Sequence, residues 1–539
     1  MPKRIVKTMR RCPGERYDIS RSICKGRQRV HYPKCPVCRY RAESASDMYE
    51  VYEVSDIGEM TDSSMKNDER SVIQLTANQD QQIDLGIFKS YDIRGLYPEE
   101  INEHTSEKIG MATVQFLKSI KPDVENIVIG RDCRLSSNLL AKSLMKGIQE
   151  AGMNCIDIGE VSTDVTYFSV GHFNYDAGIT VTASHNPSKY NGFKICHEKA
   201  MPISFDTGLS KISELSRQTR LPATGLPGKI IEKNVLDEYK KHVLRFADHI
   251  RPLKIVVDAG NGMAGKMIPL VFEGLPCKVV PLYFNLDGNF PNHEPDPLNK
   301  KNLQDLQKKV RKTKSHLGVA FDGDADRCVF IDENGQVIGC DLITAVIARE
   351  LLKKEKGAAI VYDLRSSKVL PEEIKESGGI PYRERVGHSH IKVTMREKNA
   401  LFGGELSGHY YFRENYFADS GIIALITVLN ILSKKNVPMS NLIAPLKRYY
   451  ATGEVNFKVE EKDQKIDEIA EHFKDGEIDY LDGVTVQFKD WWFNVRKSNT
   501  EPFLRLNLEG KTKAIMEKRQ KQIIDIIQTQ PGRARSEKG

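Results

Sequence analysis

The sequence predicts an α/β protein of several domains, with a smaller α+β domain at its C-terminal end. Two patterns support this fold class: short apolar runs alternate with segments of helical periodicity, and several of these runs lead directly into aspartate, glycine and small polar residues. Alternating strands and helices are typical of βαβ units, whose sheets are largely parallel. The 539 residues are enough for about three to five domains, so we expect one strand-and-loop unit to be used several times.

The first 85 residues differ in composition from the rest of the chain. Residues 1–45 hold 13 Lys/Arg and 3 Asp/Glu, a balance of +10, whereas residues 46–90 hold 3 and 10, a balance of −7. Such segments bury too little apolar surface to fold alone, so we interpret residues 1–85 as a basic tail and an acidic linker. The remaining 64 Lys/Arg and 60 Asp/Glu nearly cancel, so a nucleic-acid partner is not expected, and the basic tail is its only indication.

Cysteines in the basic tail are candidate zinc ligands. Cys35 and Cys38 have the spacing of half a zinc ribbon, but Cys12 and Cys24, which would have to complete it, are not a close pair. A disordered tail without zinc is the alternative. Ten cysteines in the whole chain are too sparse for a disulfide framework, and no run approaches the roughly 18 apolar residues of a membrane span. We therefore expect a cytoplasmic protein without a membrane partner.

Order is expected from Gly86 onward, beginning with a mixed stretch in which Arg94 precedes a glycine. There the guanidinium would lie where the backbone can bend sharply, with a plain surface turn as the alternative. A helical segment over residues 101–120 and an apolar strand over 126–130 follow. A further helix and strand, over 138–151 and 154–158, continue the alternation.

A short strand-like run, Gly178-Ile179-Thr180, leads into the stretch Val-Thr-Ala-Ser-His-Asn-Pro at 181–187. Because Asn-Pro favours a turn, Ser184 is expected just past the carboxyl end of a strand, where open α/β sheets place their chemistry. A serine in this position can carry a covalent group. His185 follows it in sequence, but adjacency does not make a Ser–His catalytic couple, and a plain loop is the alternative.

Three aspartates follow another apolar strand, at Asp322, Asp324 and Asp326. Their carboxylates repel one another unless a cation lies among them, and hard divalent cations prefer oxygen ligands. An EF-hand is the rival interpretation, because Glu333 falls at the twelfth position of the loop. Its sixth position, however, is Arg327 rather than glycine, and both flanks have the pattern of strands. A solvated acidic turn is the remaining alternative to a metal site with open coordination positions.

Two polar loops follow in the third part of the chain. We interpret the loop around His388 as exposed, since a glycine precedes this histidine. Glu405 and Ser407 lie two residues apart between glycines, and in an extended segment their side chains would point the same way. A carboxylate with a hydroxyl suits the binding of adjacent sugar hydroxyls, and a Gly-rich turn is the alternative.

From about Tyr450 the pattern changes to strands and helices of a small α+β domain. This part includes the run Arg-Lys-Ser-Asn-Thr at 496–500. An arginine supplies a bidentate fork for phosphate, and loop amides add further donors, so the run is a candidate anion clamp. A solvated hairpin loop is the alternative.

Together these motifs resemble one family, the α-D-phosphohexomutases, and within it the phosphomannomutase/phosphoglucomutase enzymes. The resemblance covers roughly residues 86–530, and residues 1–85 have no counterpart in it. The matching motifs, in the order of the chain, are Tyr-Asp-Ile-Arg-Gly (91–95), Thr-Ala-Ser-His-Asn-Pro (182–187), Tyr-Asn-Gly-Phe-Lys (190–194), Asp-Gly-Asp-Ala-Asp-Arg (322–327), Gly-His (387–388), Gly-Glu-Leu-Ser-Gly-His (404–409) and Arg-Lys-Ser-Asn-Thr (496–500).

The resemblance implies four domains around a central cleft. Three would be related α/β domains with mixed sheets, and the fourth an α+β domain of the TATA-box-binding-protein-like class. After the extension 1–85, the expected domains are 86–245 with the serine loop, 246–340 with the metal loop, 341–449 with the sugar-binding loop, and 450–539 with the phosphate-binding loop.

The resemblance also implies an enzyme that interconverts hexose 1-phosphates and hexose 6-phosphates through a hexose 1,6-bisphosphate, with sugar phosphates as partners. Ser184 would carry the phosphoryl group as a phosphoserine and would complete the coordination of Mg²⁺ by Asp322, Asp324 and Asp326. The general acid/base is left open among His409, His388 and Arg94. The implied residues are, for catalysis, Ser184, Arg94, Lys194, Arg327, His388 and His409, and, for substrate binding, Glu405, Ser407, Arg496, Ser498, Asn499 and Thr500.

The preferred sugar is less clear from the sequence. The loop at 404–409 is similar to the mannose/glucose type, in which Met commonly stands in place of Leu406, and Arg365 stands where some members carry Lys. Phosphoglucosamine mutase is the alternative within the class. A non-catalytic sugar-phosphate-binding relative and a metal-dependent phosphatase are alternatives from other classes. The sequence leaves the oligomeric state open between a monomer and a homodimer.

Overall fold

The computed structural model of the protein describes residues 9–11, 18–20, 83–218, 226–498 and 503–529. The chain divides into two units, Met1–Gln81 and Gln82–Gly539.

In the first unit, the described part is a short antiparallel pair of strands, Met9–Arg11 and Asp18–Ser20. The candidate zinc ligands Cys12, Cys24, Cys35 and Cys38 lie outside the described residues, so the zinc hypothesis stays a prediction.

The second unit begins with an α/β block around one mixed, seven-stranded sheet. Its central strand β2 (Asn126–Arg131) is buried along its apolar centre because helices cover both faces. The remaining elements of this block are β1 Ile93–Leu96, α1 Glu103–Ile120, α2 Ser137–Glu150, β3 Asn154–Glu160, α3 Thr163–Phe173, β4 Ala177–Val181, β5 Tyr190–His197, β6 Met201–Pro202, α4 Ser210–Ser216, β7 Ile230–Glu232 and α5 Leu236–Leu244.

A second α/β block has a four-stranded sheet. Its elements are β8 Leu253–Asp258, α6 Ala264–Phe272, β9 Cys277–Leu282, α7 Gln304–Thr313, β10 Leu317–Phe321 and β11 Cys328–Ile331.

A third α/β block has a five-stranded sheet. Its elements are α8 Cys340–Leu351, β12 Ala359–Asp363, α9 Val369–Glu376, β13 Ile380–Glu384, α10 His388–Glu397, β14 Phe402–Gly404, β15 Tyr410–Phe412, β16 Ala418–Asp419, α11 Gly421–Lys435 and α12 Met439–Ile443.

The three α/β blocks share one four-stranded arrangement. In each, a first strand (β2, β8 or β12) lies between two parallel neighbours, and the inner neighbour then pairs with an antiparallel strand. The strand orders are β3-β2-β4-β5, β9-β8-β10-β11 and β13-β12-β14-β15. The blocks are therefore copies of one unit, as the repeated strand-and-loop pattern predicted, and their sheets are mixed rather than largely parallel.

The fourth block is an α+β domain with a fully antiparallel five-stranded sheet in the order β17-β21-β20-β19-β18. Phe493, Val495, Leu504 and Leu506 lie in its core, where two helices cover one face of the sheet. Its elements are β17 Tyr450–Lys458, α13 Lys462–His472, β18 Glu477–Asp479, β19 Val484–Gln487, β20 Trp491–Lys497, β21 Phe503–Gly510 and α14 Lys513–Gln528.

The apolar run that begins at Gly421 forms the helix Gly421–Lys435, most of which is buried. Among the described residues, no single helix has the length and apolarity to cross a membrane. By length and composition alone, one bent pair, Gly421–Lys435 with Met439–Leu446, meets those criteria.

Candidate active site

The three loops that carry the candidate chemistry follow equivalent strands. Ser184 lies after β4, the three aspartates after β10 and Glu405 after β14, and each loop leads into the antiparallel strand of its block. The prediction that Ser184 lies just past the carboxyl end of a strand is confirmed. Because the equivalent strand ends of the three blocks converge, loops far apart in sequence come into contact.

Ser184 is completely buried and contacts the aspartate loop. Its hydroxyl donates to Asp322 Oδ2 at 2.7 Å, and its Oγ lies 3.4 Å from His185 Nδ1. Its N–H donates to Thr182 Oγ1 at 2.9 Å. The backbone of Ser184 has a φ of 50°, a conformation that a non-glycine residue adopts only when its surroundings impose it.

Arg134 donates hydrogen bonds to the backbone of the serine loop. Its guanidinium is buried; Nη2 donates to the carbonyl oxygens of Ser184 at 2.8 Å and Asn186 at 2.7 Å, and Nη1 to that of Pro187 at 2.8 Å. Its Nε donates to Asp132 Oδ2 at 3.0 Å, and the same oxygen accepts from the Thr182 hydroxyl. Arg134 therefore holds the backbone of the serine loop through three of its carbonyl oxygens.

The serine and aspartate loops touch at Gly323. A Cβ on Gly323 would lie 2.5 Å from the carbonyl oxygen of Ser184, so only glycine permits this approach. Asp322, Asp324 and Asp326 are at most 1% exposed, and one oxygen from each lies within 4.8 Å of the others. Desolvation, and then the carboxylates of Asp324 and Asp326, raise the pKa of Asp322 well above its usual value.

The aspartate cluster fits a hard divalent cation. Oδ1 of Asp324 and Oδ1 of Asp326 are buried and accept no hydrogen bond, which is costly unless a cation satisfies them. The EF-hand alternative is wrong, because β10 and β11 flank the loop and Glu333 accepts hydrogen bonds from Ser440 instead.

Two cations lie beside the aspartates. Lys194 on β5 donates to Asp324 Oδ2 at 2.7 Å and also to Asp326. Arg327 Nε lies 3.6 Å from Asp322 Oδ2 and donates to His409 Nε2 at 3.2 Å. Both side chains also line the central cleft, so they connect the buried aspartates with the space that a substrate can enter.

The loop after β14 differs from the predicted extended segment. Glu405 to Gly408 form a turn, because the N–H of Gly408 donates to the carbonyl of Glu405. The turn still brings the two predicted groups together, with Ser407 Oγ donating to Glu405 Oε2 at 3.3 Å. Tyr411 and Gly387 donate to the same carboxylate at 2.6 and 3.0 Å, so Glu405 is firmly oriented.

His409 is held between carboxylates. Its Nδ1 lies 3.1 Å from Glu405 Oε2, and its Nε2 lies 3.5 Å from Asp326 Oδ1. Burial and then Arg327 act to lower its pKa, but the carboxylates of Asp326 and Glu405 outweigh them and raise the pKa of His409 to about 9.

His388 is neither in a loop nor fully exposed, because it is the first residue of helix α10 and its Nδ1 is buried without a hydrogen-bond partner. Burial, and then the charges of Lys392 and His409, lower its pKa well below the usual value. The two rings lie 5.9 Å apart, and their surroundings shift the pKa values of the two histidines in opposite directions.

Arg94 lies on edge strand β1 rather than in a surface turn. It donates to Asn186 Oδ1 at 2.6 Å and is paired with Asp92, so it joins the serine loop to the cleft.

Arg496, the first residue of the predicted clamp, is 1% exposed at its side chain and lies in the cleft. Its Nη2 donates to Glu454 Oε2 at 2.8 Å. Ser498 follows β20, and its N–H donates to Phe503 O at 2.9 Å. Asn499 and Thr500 lie outside the described residues, so their role stays a prediction.

All four blocks line one cleft of about 630 Å³, a volume typical of small-molecule sites. Seven lysines and arginines line it, against five carboxylates, and this excess of positive charge suits a phosphorylated ligand. The cationic lining residues are Lys89, Arg94, Lys194, Arg327, Arg365, Arg496 and Arg505, and the acidic ones are Asp92, Glu100, Asp296, Glu405 and Glu454.

Relatives of known name share most of the chain. A phosphomannomutase of Vibrio cholerae is 37% identical over 456 residues, which cover 82% of this chain and 98% of the relative. The phosphohexose mutases of Xanthomonas campestris are 39% identical over 453 residues, with 82% and 99% covered. A solved phosphoglucomutase/phosphomannomutase family protein of Burkholderia thailandensis has a TM-score of 0.77 at 34% identity, with 82% of this chain and 97% of that chain covered.

The four blocks also match, in order, the sequence models of one enzyme family. These are phosphoglucomutase/phosphomannomutase α/β/α domain I over residues 86–221, domain II over 237–335, domain III over 340–449 and the C-terminal domain over 454–526. Such domains define a phosphohexomutase, an enzyme that moves a phosphoryl group between two positions of a hexose. The chain belongs to the phosphoglucomutase/phosphomannomutase family.

Proposed function

We propose that this phosphohexomutase interconverts the 1- and 6-phosphates of mannose, glucose or both, with Ser184 as the phosphoryl carrier and a hexose 1,6-bisphosphate as intermediate. The observation that carries the proposal is the 2.7 Å hydrogen bond from the Ser184 hydroxyl to Asp322. It places a potential phosphate acceptor beside three carboxylates, an arrangement that is suited to phosphoryl transfer and would be unfavourable without a cation. The name of the Vibrio cholerae phosphomannomutase supports mannose, and that of the Burkholderia thailandensis phosphoglucomutase/phosphomannomutase family protein supports both sugars.

Asp322, Asp324 and Asp326 would hold Mg²⁺ together with an oxygen on Ser184. Such an ion, when bound, neutralises negative charge on a transferring phosphoryl group. The unpartnered oxygens of Asp324 and Asp326 support this donor set.

In the transfer itself, the bond between Ser184 Oγ and phosphorus breaks, and a bond forms between phosphorus and a free hydroxyl oxygen of the sugar monophosphate. The proton of that hydroxyl leaves to a base, and Ser184 Oγ keeps the electron pair of the broken bond as an oxyanion until it attacks the second phosphoryl group. Lys194 and Arg327 lie beside the carboxylates and would balance charge on the equatorial oxygens. After the bisphosphate has turned in the cleft, its other phosphoryl group returns to Ser184 and the proton is restored to the sugar oxygen.

The two histidines would divide the proton transfers. His388, with a pKa well below its usual value, is neutral and suited to accept a proton, whereas His409, with a pKa near 9, is suited to donate one. Pairs of groups with pKa values shifted apart are typical of acid–base sites. Arg94, fixed between Asp92 and Asn186, would orient the loop and the phosphate rather than move the proton.

The remaining groups would hold the non-reacting parts of the substrate. Glu405 and Ser407 would accept and donate hydrogen bonds to sugar hydroxyls, and Arg496 would bind the distal phosphate. Ser498, Asn499 and Thr500 would add donors to that phosphate. Both ends of the bisphosphate must be bound, because during one turnover each phosphate group occupies the reacting position at Ser184 and the distal position at Arg496 in turn.

We also propose a reducing, cytoplasmic location, which the six described cysteines support because all of them are free thiols.

A coupled assay tests the function directly. Mannose 1-phosphate, glucose 1-phosphate and glucosamine 1-phosphate are compared as substrates, each with a trace of hexose 1,6-bisphosphate. We expect turnover of the first two with kcat/KM at least about tenfold above that of glucosamine 1-phosphate, a difference of about 1.4 kcal/mol. A preference for glucosamine 1-phosphate would contradict the proposed substrate.

The metal site has a test that needs no turnover. Replacing Asp324 with asparagine removes a charged oxygen ligand, so the affinity for Mg²⁺ measured by calorimetry should fall at least about tenfold. Asp305→Asn is the matched control, because Asp305 is in the same block but is largely exposed and paired with Lys308. Equal Mg²⁺ affinities of the two variants would contradict the assigned ligands.

A further inference from the structure

One carboxylate lies among the arginines of the cleft. Glu454 on β17 accepts from Arg496 Nη2 at 2.8 Å and is paired with Arg505 Nη1 at 3.0 Å. Its Oε2 also lies 3.7 Å from Arg365 Nη1, which belongs to the third block. Glu454 thus joins arginines of two blocks in the wall of the cleft.

The arginines differ from Glu454 in how firmly they are held. The side chains of Arg496, Arg365 and Arg505 are 1%, 8% and 17% exposed, whereas that of Glu454 is 24% exposed. Arg365 Nη2 also donates a hydrogen bond to Asp363 Oδ2 at 2.8 Å, which holds Arg365 in place. The Nε of Arg496 is buried and has no hydrogen-bond partner. The cations are therefore fixed at the wall, and the carboxylate is the more accessible member.

A carboxylate and a phosphate use the same donors. Both accept parallel hydrogen bonds from a guanidinium fork, so Glu454 occupies on Arg496 a donor that a phosphate would otherwise receive. A phosphate that arrives must either displace this carboxylate or share the arginines with it, and in both cases the negative charge of Glu454 opposes its binding.

We propose that Glu454 is a positioning residue that acts as the internal anion of the phosphate-binding arginines. It keeps Arg365, Arg496 and Arg505 in place between substrates, and it limits how tightly they hold a phosphate. The inference rests on the proposed function, in which the distal phosphate must leave these arginines before the bisphosphate can turn.

This limit would be useful for turnover. An interaction that binds substrate and transition state equally lowers KM without raising kcat, and excess affinity for the bisphosphate slows its release from the clamp. The carboxylate of Glu454 lowers the affinity of the arginines for the bisphosphate and at the same time keeps these arginines in place.

The test compares Glu454→Gln with Glu454→Asp. The glutamine keeps size and hydrogen bonding but removes the charge, so the dissociation constant of inorganic phosphate, measured by calorimetry, should fall about tenfold. KM for the hexose 1-phosphate should fall with it, and kcat should fall severalfold because the bisphosphate leaves more slowly. The aspartate keeps the charge and should stay within about threefold of the wild type in all three quantities. Unchanged or weaker phosphate binding by Glu454→Gln would overturn the proposal.

Two further variants complete the experiment. Glu471→Gln removes a carboxylate of the same domain that is 72% exposed and paired with Lys474, and it should change none of these quantities. Glu454→Ala also removes the charge and carries the same expectation for phosphate affinity if the glutamine variant does not fold. Phosphate binding is measured without catalysis, so this inference can fail while the mutase activity stands, and the activity can fail while the anion result stands.

Discussion

Replacing Ser184 with alanine should lower kcat/KM for hexose 1-phosphate by on the order of 10⁴-fold or more, since removing a catalytic nucleophile has effects of this size. Alanine removes the oxygen that would carry the phosphoryl group, and no other hydroxyl of the loop is within hydrogen-bonding distance of Asp322 among the described residues. Intact mass and phosphopeptide mapping should find a phosphate on Ser184 in the wild-type protein. The same phosphate should be missing from the variant.

Ser169→Ala is the matched control for this experiment. Ser169 is also completely buried in the first block, but its hydroxyl donates to the carbonyl of Val165 within helix α3. Its replacement should leave kcat/KM within about twofold, because it touches neither the aspartates nor the cleft. Activity of Ser184→Ala within tenfold of the wild type, with no phosphate on the protein, would rule out the phosphoserine mechanism.

Replacing Arg134 should have the second largest effect, although Arg134 is not expected to touch the substrate. Arg134→Met leaves Asp132 buried without its cation, which should reduce the free energy of unfolding by about 3–5 kcal/mol. The carbonyls of Ser184, Asn186 and Pro187 lose their donors at the same time, so the serine loop moves. Because a displacement of about 1 Å can cost about 10²-fold in rate, kcat should fall by at least that factor.

Arg134→Lys distinguishes the effect of the positive charge beside Asp132 from the effect of the hydrogen bonds to the loop carbonyls. Lysine keeps the positive charge beside Asp132 but lacks the planar fork that serves several carbonyls at once, so stability should recover more than kcat does. Arg131→Met is the control at the end of β2, three residues before Arg134, where the arginine is 22% exposed and paired with Asp157. Its loss should cost at most about 1 kcal/mol. Denaturant unfolding and steady-state kinetics measure both effects, and equal kcat values for Arg134→Met and Arg131→Met would contradict the role of Arg134.

The sequence was most informative where chemistry is local. Ser184 lies three residues after the end of β4, and the three aspartates lie within five residues of the end of β10. Turn-forming residues mark both loops. Their placement after β4 and β10 follows from strand pattern and turn signals alone. The contact between the two loops, by contrast, joins residues 138 positions apart and was implied only by resemblance to a family.

Arg134 and Glu454 could not be predicted as functional residues. The loop partners of Arg134 are backbone carbonyls, which every sequence has and no motif marks. Glu454 becomes significant only because the fourth block brings it to Arg365, 89 residues away along the chain. At Glu405 the sequence left a Gly-rich turn as the alternative to an extended segment, since its glycines permit both, and the hydrogen bond from the N–H of Gly408 to the carbonyl of Glu405 shows that the alternative is the observed conformation.

The repetition of the α/β blocks was indicated by the strand-and-loop pattern of the sequence and not by repeated residues. The apolar strands of the three blocks share a pattern but few identities, whereas their strand orders and directions are the same. Topology is retained under substitution because any apolar residue of suitable size fills a strand position.

Because the three blocks share one topology, the enzyme has three equivalent loops, one after each of the strands β4, β10 and β14. Under the proposed function, the loop after β4 would carry the phosphoryl group, the loop after β10 would hold the cation, and the loop after β14 would bind the sugar hydroxyls. A change in the loop at 404–409 can therefore alter which hexose is accepted without rebuilding the carrier or the cation site. In such an architecture, a new substrate preference requires changes in one loop only, and the residues that carry out the phosphoryl transfer stay the same.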